Sequence, residues 1–291
     1  MDIVSPDHKL RTRDVRRDPG GGGLNVSRAL RKLGGDSTAV YAAGGGSGDM
    51  LTELLTREGI HHQRVSIAAT TRENLTVLEA SSNREFRFVM PGAEMQECEW
   101  RQCLDTLLSM SPPPAYIVAS GSIPPGVPSN FYGLLYERTR ESGARVVVDT
   151  SGPTLVKTLE KGAFLVKPNL SELRVVTGRN VESEAEVRQA AHRIVDEGRA
   201  EVVVTSMSAG GAICVSRDVE ERITNPIVPV RSTVGAGDSM VAGIVLSLAR
   251  GMSVRDAGRF GVAAGAAAVM TPGTELCRRE DAERFYAQMN P

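Results

Sequence analysis

A chain of 291 residues with 34 Lys and Arg against 35 Asp and Glu carries a formal net charge of −1, so neither nucleic acid nor an anionic membrane surface is its expected partner. It shows no secretory signal pattern and no apolar run of about 18 residues, which predicts a cytoplasmic protein sized for one large α/β domain, or a core with an appendage. Its four cysteines and four histidines lack metal-ligand spacing, so reduced thiols are expected and a zinc site is not.

Residues 1–18 are polar and basic, with alternation around Lys9, Arg11 and Arg13. The glycine run 20–23 then leads into Leu24, Val26, Leu30 and Leu33, whose spacing predicts a helix over 25–33. Residues 38–42 read as a strand ending in a second glycine turn, after which Asp49 is placed to cap a helix over 50–58. From 70 to 90 the period changes to two. Segments 76–80 and 85–90, joined by Ser81, Ser82 and Asn83, predict an antiparallel hairpin with Phe86, Phe88 and Met90 on one face and Arg87 on the other. A hairpin inserted in a chain of this kind is expected to act as a lid.

Beyond it, apolar runs at 115–119, 145–149, 164–167 and 201–205 alternate with helical stretches at 98–110, 130–142, 169–176 and 184–197. Continuous Val and Ile runs mark strands covered on both faces, hence a mainly parallel sheet between helical layers. Segments 212–215 and 221–230 add strands, and the small-residue run from Gly261 to Ala268 suits close helix packing or a ligand ring on bare backbone. In such a sheet the ligand sits off the carboxyl ends of the strands, where Ser120, Asp149, Ser151, Lys167, Asn169 and Ser206 fall.

The heptapeptide Thr233-Val234-Gly235-Ala236-Gly237-Asp238-Ser239 joins an extended segment, 227–230, to the apolar run 240–246. A glycine turn that opens a helix aims unpaired N–H groups into one small space, which suits a phosphate or the charge on a phosphoryl group in transfer. At that rim Asp238 can deprotonate an attacking hydroxyl, and a charge nest beside a base is the minimum a kinase needs. The competing assignment makes Asp238 an N-cap and the glycines suppliers of positive φ. Neither the Walker phosphate loop nor the dinucleotide glycine fingerprint occurs. The run 20–23 before Asn25 fits backbone lying flat against a small polar ligand, or a plain flexible turn. Asn169 and Glu172 are spaced as a capping box, and equally as oxygen ligands holding Mg2+ through its waters at the mouth of the sheet.

Four motifs, Gly20-Gly21-Gly22-Gly23-x-Asn25, Gly121-Ser122-Ile123-Pro124-Pro125-Gly126, Lys167-Pro168-Asn169-x-x-Glu172 and Val234-Gly235-Ala236-Gly237-Asp238-Ser239, resemble in order and spacing the ribokinase-like (PfkB) carbohydrate kinases, over nearly the whole chain. Segments 86–92 and 260–265 look most like the minor, ATP-dependent 6-phosphofructokinase branch. The resemblance implies an α/β fold: a ribokinase-like three-layer α/β/α sandwich with a mainly parallel central sheet. Residues 19–69 and 93–291 would form the nucleotide- and sugar-binding core, and 1–18 and 70–92 a small β lid. It further implies ATP-dependent phosphorylation of the C1 hydroxyl of fructose 6-phosphate, with tagatose 6-phosphate or fructose 1-phosphate as alternative acceptors. Asp238 is then the base, with Gly235, Ala236 and Gly237 as the anion hole. Gly21, Gly22 and Asn25 hold the sugar, Arg87 pairs with the phosphate it already carries, and Ser151 helps hold the same substrate. Lys167, Asn169, Ser206, Gly211 and Gly237 face ATP, and Glu172 orders Mg2+. Lys9 and Arg11 match basic lid positions, and the lids of that branch pair into homodimers.

Two departures stand out. The family opens with an apolar core strand ending in a sugar-binding Asp; residues 1–6 are too short to supply it and Asp2 is too far away to substitute, so the first core strand is expected to be missing through a truncated start. About four buried aliphatic side chains at roughly 1.5–3 kcal/mol each rival the whole stability of a typical domain, about 5–15 kcal/mol. A non-catalytic binder of sugar phosphate or nucleotide is the alternative this leaves. Glu275 stands where the branch usually has a basic residue near a monovalent-cation site, which counts against potassium activation.

Overall fold

Regular structure begins at α1 (Gly22–Lys32), which leads through β1 (Thr38–Ala43) and α2 (Gly45–Arg57) to β2 (His61–Ser66). These two strands pair in parallel as a sheet of their own. The hairpin of β3 (Leu75–Glu79) and β4 (Arg84–Phe88) follows, with Val77 opposite Phe86 and Thr76 opposite Arg87. Next come α3 (Glu97–Leu108), β5 (Tyr116–Ser120), α4 (Phe131–Thr139), β6 (Arg145–Asp149), α5 (Gly152–Leu159) and β7 (Leu165–Val166). The remainder is α6 (Leu170–Thr177), α7 (Glu184–Asp196), β8 (Val202–Ser206), β9 (Ala212–Ser216), β10 (Glu220–Ile223), α8 (Ala236–Ala249), α9 (Val254–Val269) and α10 (Arg279–Met289). This computed structural model describes every residue except Asp2, Pro6, Asp14, Asn83, Asn290 and Pro291. The expectations that fall on Asp2 and on Asn83 in the hairpin turn therefore lie outside the described residues.

The main sheet runs β10-β9-β8-β7-β6-β5, parallel from β5 to β8 and antiparallel beyond. Successive strand residues face opposite sides. Val147 accordingly packs with α1, α8, α9 and α10, while Val146 and Val148 pack with α3 to α7. All three valines are fully buried. The result is the three-layer α/β/α sandwich that the Val-rich runs and the family resemblance imply. In the first layer the small residues serve helix packing: a Cβ on Gly261 would lie 2.4 Å from Ile244 Cγ1. Among the described residues no strand lies between β1 and β5, and α1 packs against both. The first residues run along the hairpin instead, where Ala80 N–H donates to the Met1 carbonyl (2.9 Å) and Val4 N–H to Glu79 Oε1 (2.8 Å).

Some local expectations are corrected. Helix α2 starts at Gly45 with Gly44 as its cap, so Asp49 lies inside it and pairs with Arg64 at 2.6 Å. Tertiary packing there outweighs the weak propensity of a glycine-rich first turn. Segment 227–230 is not a strand; Ile227 and Val230 are exposed and β10 ends at Ile223. Without a neighbouring strand to bond its backbone, an apolar run has no ladder to join. Strand β2 and helix α5 were not foreseen. The alternation in β2 is carried by His, Gln and Arg, and α5 opens on Gly152-Pro153, a proline position that also suits a turn.

Candidate active site

At the carboxyl ends of β5 and β6 a cavity opens between four helix starts. Gly22 of α1, Ser120, Gly121 and Ser122 at the end of β5, Asp149, Thr150 and Ser151 at the end of β6, Glu172 of α6 and Asp238 of α8 line it. Its floor is fixed by backbone. Gly121 N–H donates to the Asp149 carbonyl (2.9 Å), and Thr150 Oγ1 and Tyr132 Oη donate to the Gly121 carbonyl at 2.8 and 3.2 Å. Burial pushes the Tyr132 phenol up to about 12, with the Asp149 carboxylate adding to the rise, so this donor keeps its proton. Gly22 approaches that turn so closely that a Cβ would lie 2.4 Å from Ser120 Oγ and 2.9 Å from Gly121 N. Within the glycine run Gly22 is therefore in tight contact with the cavity wall, with Gly21 as the helix cap at φ 112°.

The opening turn of α8 follows from its sequence. Gly235 caps the helix at φ 74°, a left-handed conformation that favours glycine, and a Cβ there would meet Leu276 Cδ2 at 2.3 Å. The first bond inside the helix runs from Ser239 N–H to the Gly235 carbonyl (2.8 Å). The N–H groups of Gly235, Ala236 and Gly237 reach no acceptor among the described residues. Asp238 caps nothing. Its Oδ2 accepts from Asn25 Nδ2 at 2.9 Å. Burial pushes its carboxyl up to about 6; the Asp149 charge adds to this, while the Asn25 bond, Lys167 and Arg28 oppose it. Beside this turn lies a buried ammonium, with Lys167 Nζ 3.1 Å from Asp149 Oδ1 and 3.5 Å from where a Gly237 Cβ would stand.

Asn169 and Glu172 form the capping box: Glu172 N–H donates to Asn169 Oδ1 (2.9 Å) and Asn169 N–H to Glu172 Oε2 (2.8 Å). The same carboxylate lines the cavity, and burial raises its pKa against that donated bond and the Lys167 charge. Ser206 sits beside Asn169 through a parallel bridge, its N–H on the Pro168 carbonyl at 2.9 Å. Ser151 starts α5 and makes no capping bond. Gly211 adjoins Ser206 on the β8–β9 turn, where Ser206 pairs with Ala212 and the Gly211 carbonyl accepts from Met207 N–H at 2.8 Å. It is buried, and a Cβ on it would stand 2.1 Å from the Ile223 carbonyl oxygen, so contact with β10 accounts for a glycine there.

Arg87 is exposed on β4 and pairs with no described carboxylate; Lys9 and Arg11 are likewise exposed. A guanidinium that does reach the rim is that of Arg72, whose Nη2 donates to Ser122 Oγ at 3.2 Å. Glu275 is paired with Arg16 at 3.1 Å. The sequence marks Asp149 only as a polar strand end and does not single out Thr150, Arg72 or Arg28. Position after a parallel strand was the available signal for Asp149 and Thr150, whereas the reach of Arg72 is set by tertiary placement.

The four motifs thus meet around one cavity holding a buried carboxyl, a helix mouth with uncommitted N–H groups and a buried cation. The family described as pfkB family carbohydrate kinase matches residues 1–281. The ATP-dependent 6-phosphofructokinase isozyme 2 of Mycobacterium tuberculosis is 43% identical over 286 residues, covering 98% of this chain and 84% of that protein. The structure of phosphofructokinase-2 from Escherichia coli in complex with potassium superposes with a TM-score of 0.96 at 40% identity, over 100% of this chain and 94% of that one. Ribokinase from Arabidopsis thaliana, complexed with ribose and ATP, shares the fold alone, at 17% identity and a TM-score of 0.77 over 98% of this chain and 92% of that one. Among the described residues no helix is long and apolar enough to cross a membrane. With its sandwich, its cavity and its matches all in agreement, the chain belongs to the PfkB family of carbohydrate kinases and is an ATP-dependent sugar-phosphate kinase of the phosphofructokinase type.

Proposed function

We propose that the chain transfers the γ-phosphoryl group of ATP to the C1 hydroxyl of fructose 6-phosphate, giving fructose 1,6-bisphosphate and ADP. The observation that carries this reading is the juxtaposition of an Asp238 carboxyl pushed up to about 6 with a helix mouth whose N–H groups are uncommitted. At neutral pH such a carboxyl is ionised yet more basic than an ordinary one. It takes the C1 hydroxyl proton as that oxygen bonds to phosphorus and the bond to the leaving ADP oxygen breaks. The amides of Gly235, Ala236 and Gly237 meet the charge on the transferring group, and Lys167, buried beside that turn, is assigned to the nucleotide phosphates. A base contributes about 10²–10⁴ in rate, and each anion-hole donor about 10²–10³.

Gly21, Gly22, Asn25 and Ser151 are assigned to the sugar, and Asn169, Ser206 and Gly237 to ATP. Arg72 at the rim, with Arg87 on the lid, is assigned to the phosphate the sugar brings, a group for which a guanidinium fork is suited. Among the described residues no cluster of three or more side chains could hold a metal ion directly. Glu172 fits Mg2+ held mainly by nucleotide phosphates and touched through water, where the ion would offset phosphate charge. Residues 1–18 and 70–92 are assigned as lid. Leu75 and Phe88, paired across the hairpin, are both exposed, apolar surface on one face that a second copy's lid would cover in a homodimer. The enzyme would work in the cytoplasm.

The test is a coupled ADP-release assay on fructose 6-phosphate, tagatose 6-phosphate, fructose 1-phosphate and ribose, run beside Asp238→Ala. Fructose 6-phosphate should give the highest kcat/KM, and the variant should lose about three orders of magnitude in kcat. Equal kcat/KM on ribose would defeat the sugar-phosphate acceptor. Thermal stabilisation by these ligands without turnover would make the chain a binder.

A further inference from the structure

Arg28 lies one helical turn beyond Asn25 on α1 and is 2% exposed. A guanidinium so placed needs every N–H satisfied. Its Nε and Nη2 fork onto Glu58 Oε2 and Oε1 at 2.6 and 2.7 Å, and its Nη1 donates to the Pro19 carbonyl (3.1 Å) and to Asn25 Oδ1 (3.2 Å). Arginine carries donors only, whereas an asparagine amide has one end of each kind. With Oδ1 turned to Arg28, only Nδ2 remains to face Asp238 Oδ2, at 2.9 Å.

We infer that Arg28, gripped by Glu58, is a positioning residue for proton transfer, locking the Asn25 amide so that it always donates to Asp238. This rests on Asp238 acting as the base. The consequence is chemical as well as geometric. A free amide could turn and accept from a protonated Asp238, stabilising the wrong state; a locked one favours the carboxylate. The other charged groups facing or sharing the cavity with Asp238 are Asp149 at the end of β6, Lys167 after β7 and Glu172 on α6. None of them touches Asn25.

The test is the pH profile of kcat/KM on fructose 6-phosphate, which reports the free enzyme's base, for the parent, Arg28→Met, Arg28→Lys and Glu58→Gln. Arg28→Met should move the acid limb up by about one pH unit, with activity recovering at high pH. Arg28→Lys, another donor-only side chain, should restore part of the shift, and Glu58→Gln should give a smaller rise in the same direction. A folded Arg28→Met with lowered Tm but an unmoved acid limb would overturn the inference and leave Arg28 as a cross-link between α1 and α2. Should Arg28→Met not fold, an unmoved limb in Glu58→Gln would overturn it equally. A parent without turnover on any sugar phosphate would remove the base itself, and so strikes the preceding proposal first.

Discussion

The substitution Asp238→Asn separates what this carboxylate does for stability from what it does for chemistry. An ordinary aspartate titrates near 3.8, and the folded chain raises Asp238 to about 6, mainly by burial. Between those values the folded state holds a proton that the unfolded state has released, so rising pH favours unfolding. The destabilisation is absent well below pH 4, about half developed at pH 5 and complete above pH 6. Two units at about 1.4 kcal/mol each amount to roughly 3 kcal/mol at pH 8. Asparagine keeps an oxygen for the Asn25 Nδ2 bond but carries no charge to desolvate. The variant should therefore melt several degrees above the parent at pH 8, about 2 °C per kcal/mol for a chain of this size, with the gain halved at pH 5. Its kcat should fall by about 10³. Thermal unfolding at the two pH values and the ADP-release assay read both effects. A variant no more stable than the parent at pH 8, or one within tenfold of its kcat, would refute the picture of a desolvated, reactive carboxylate.

The remaining expectations concern the cavity wall. Gly22→Ala pushes a methyl group into Ser120 Oγ and the Gly121 backbone, and should cost about 1–3 kcal/mol in denaturant unfolding along with activity; unchanged values would mean the 120–122 turn yields freely. Lys167→Met leaves Asp149 buried without its cation, so kcat/KM for ATP should drop about 10²–10³ and stability by about 3–5 kcal/mol. A drop in stability alone would make the pair structural. Arg72→Ala should raise KM for fructose 6-phosphate about tenfold or more, the worth of a charge-assisted bond, with kcat nearly kept; steady-state kinetics showing the reverse would place Arg72 outside substrate binding.

What could be read in the sequence and what could not divide along the range of the forces. The turn at 235–238 is written locally, because glycines at a helix start and an acid three residues on determine the nest whatever surrounds it. The layer order is equally legible, since Val146, Val147 and Val148 can all be buried only in a strand covered on both sides. Arg28 was invisible for the opposite reason. A cation in an amphipathic helix is ordinarily placed on the wet face, and its burial depends on Glu58, 30 residues on. The reach of Arg72 to Ser122 Oγ at the rim has the same origin. Residue type can suggest a guanidinium for a phosphate, but whether the segment leading into β3 meets Ser122 depends on how the hairpin is hung on the core.

Asn169 and Glu172 show why the structural and functional assignments of a motif need not compete. The two bonds of the capping box are present. Those bonds hold α6 with its first turn open to the carboxyl ends of the sheet, and thereby set a partly desolvated carboxylate in the cavity wall. Only one of its oxygens is required by the cap. Capping thus supplies the rigidity that a water-mediated metal contact would need, because a side chain already fixed loses little further rotamer freedom on binding. Asp238 makes the converse case. It occupies a position suited to capping yet caps nothing, and its carboxylate is left to the cavity, held by one amide and raised by burial toward the pH at which a base is effective.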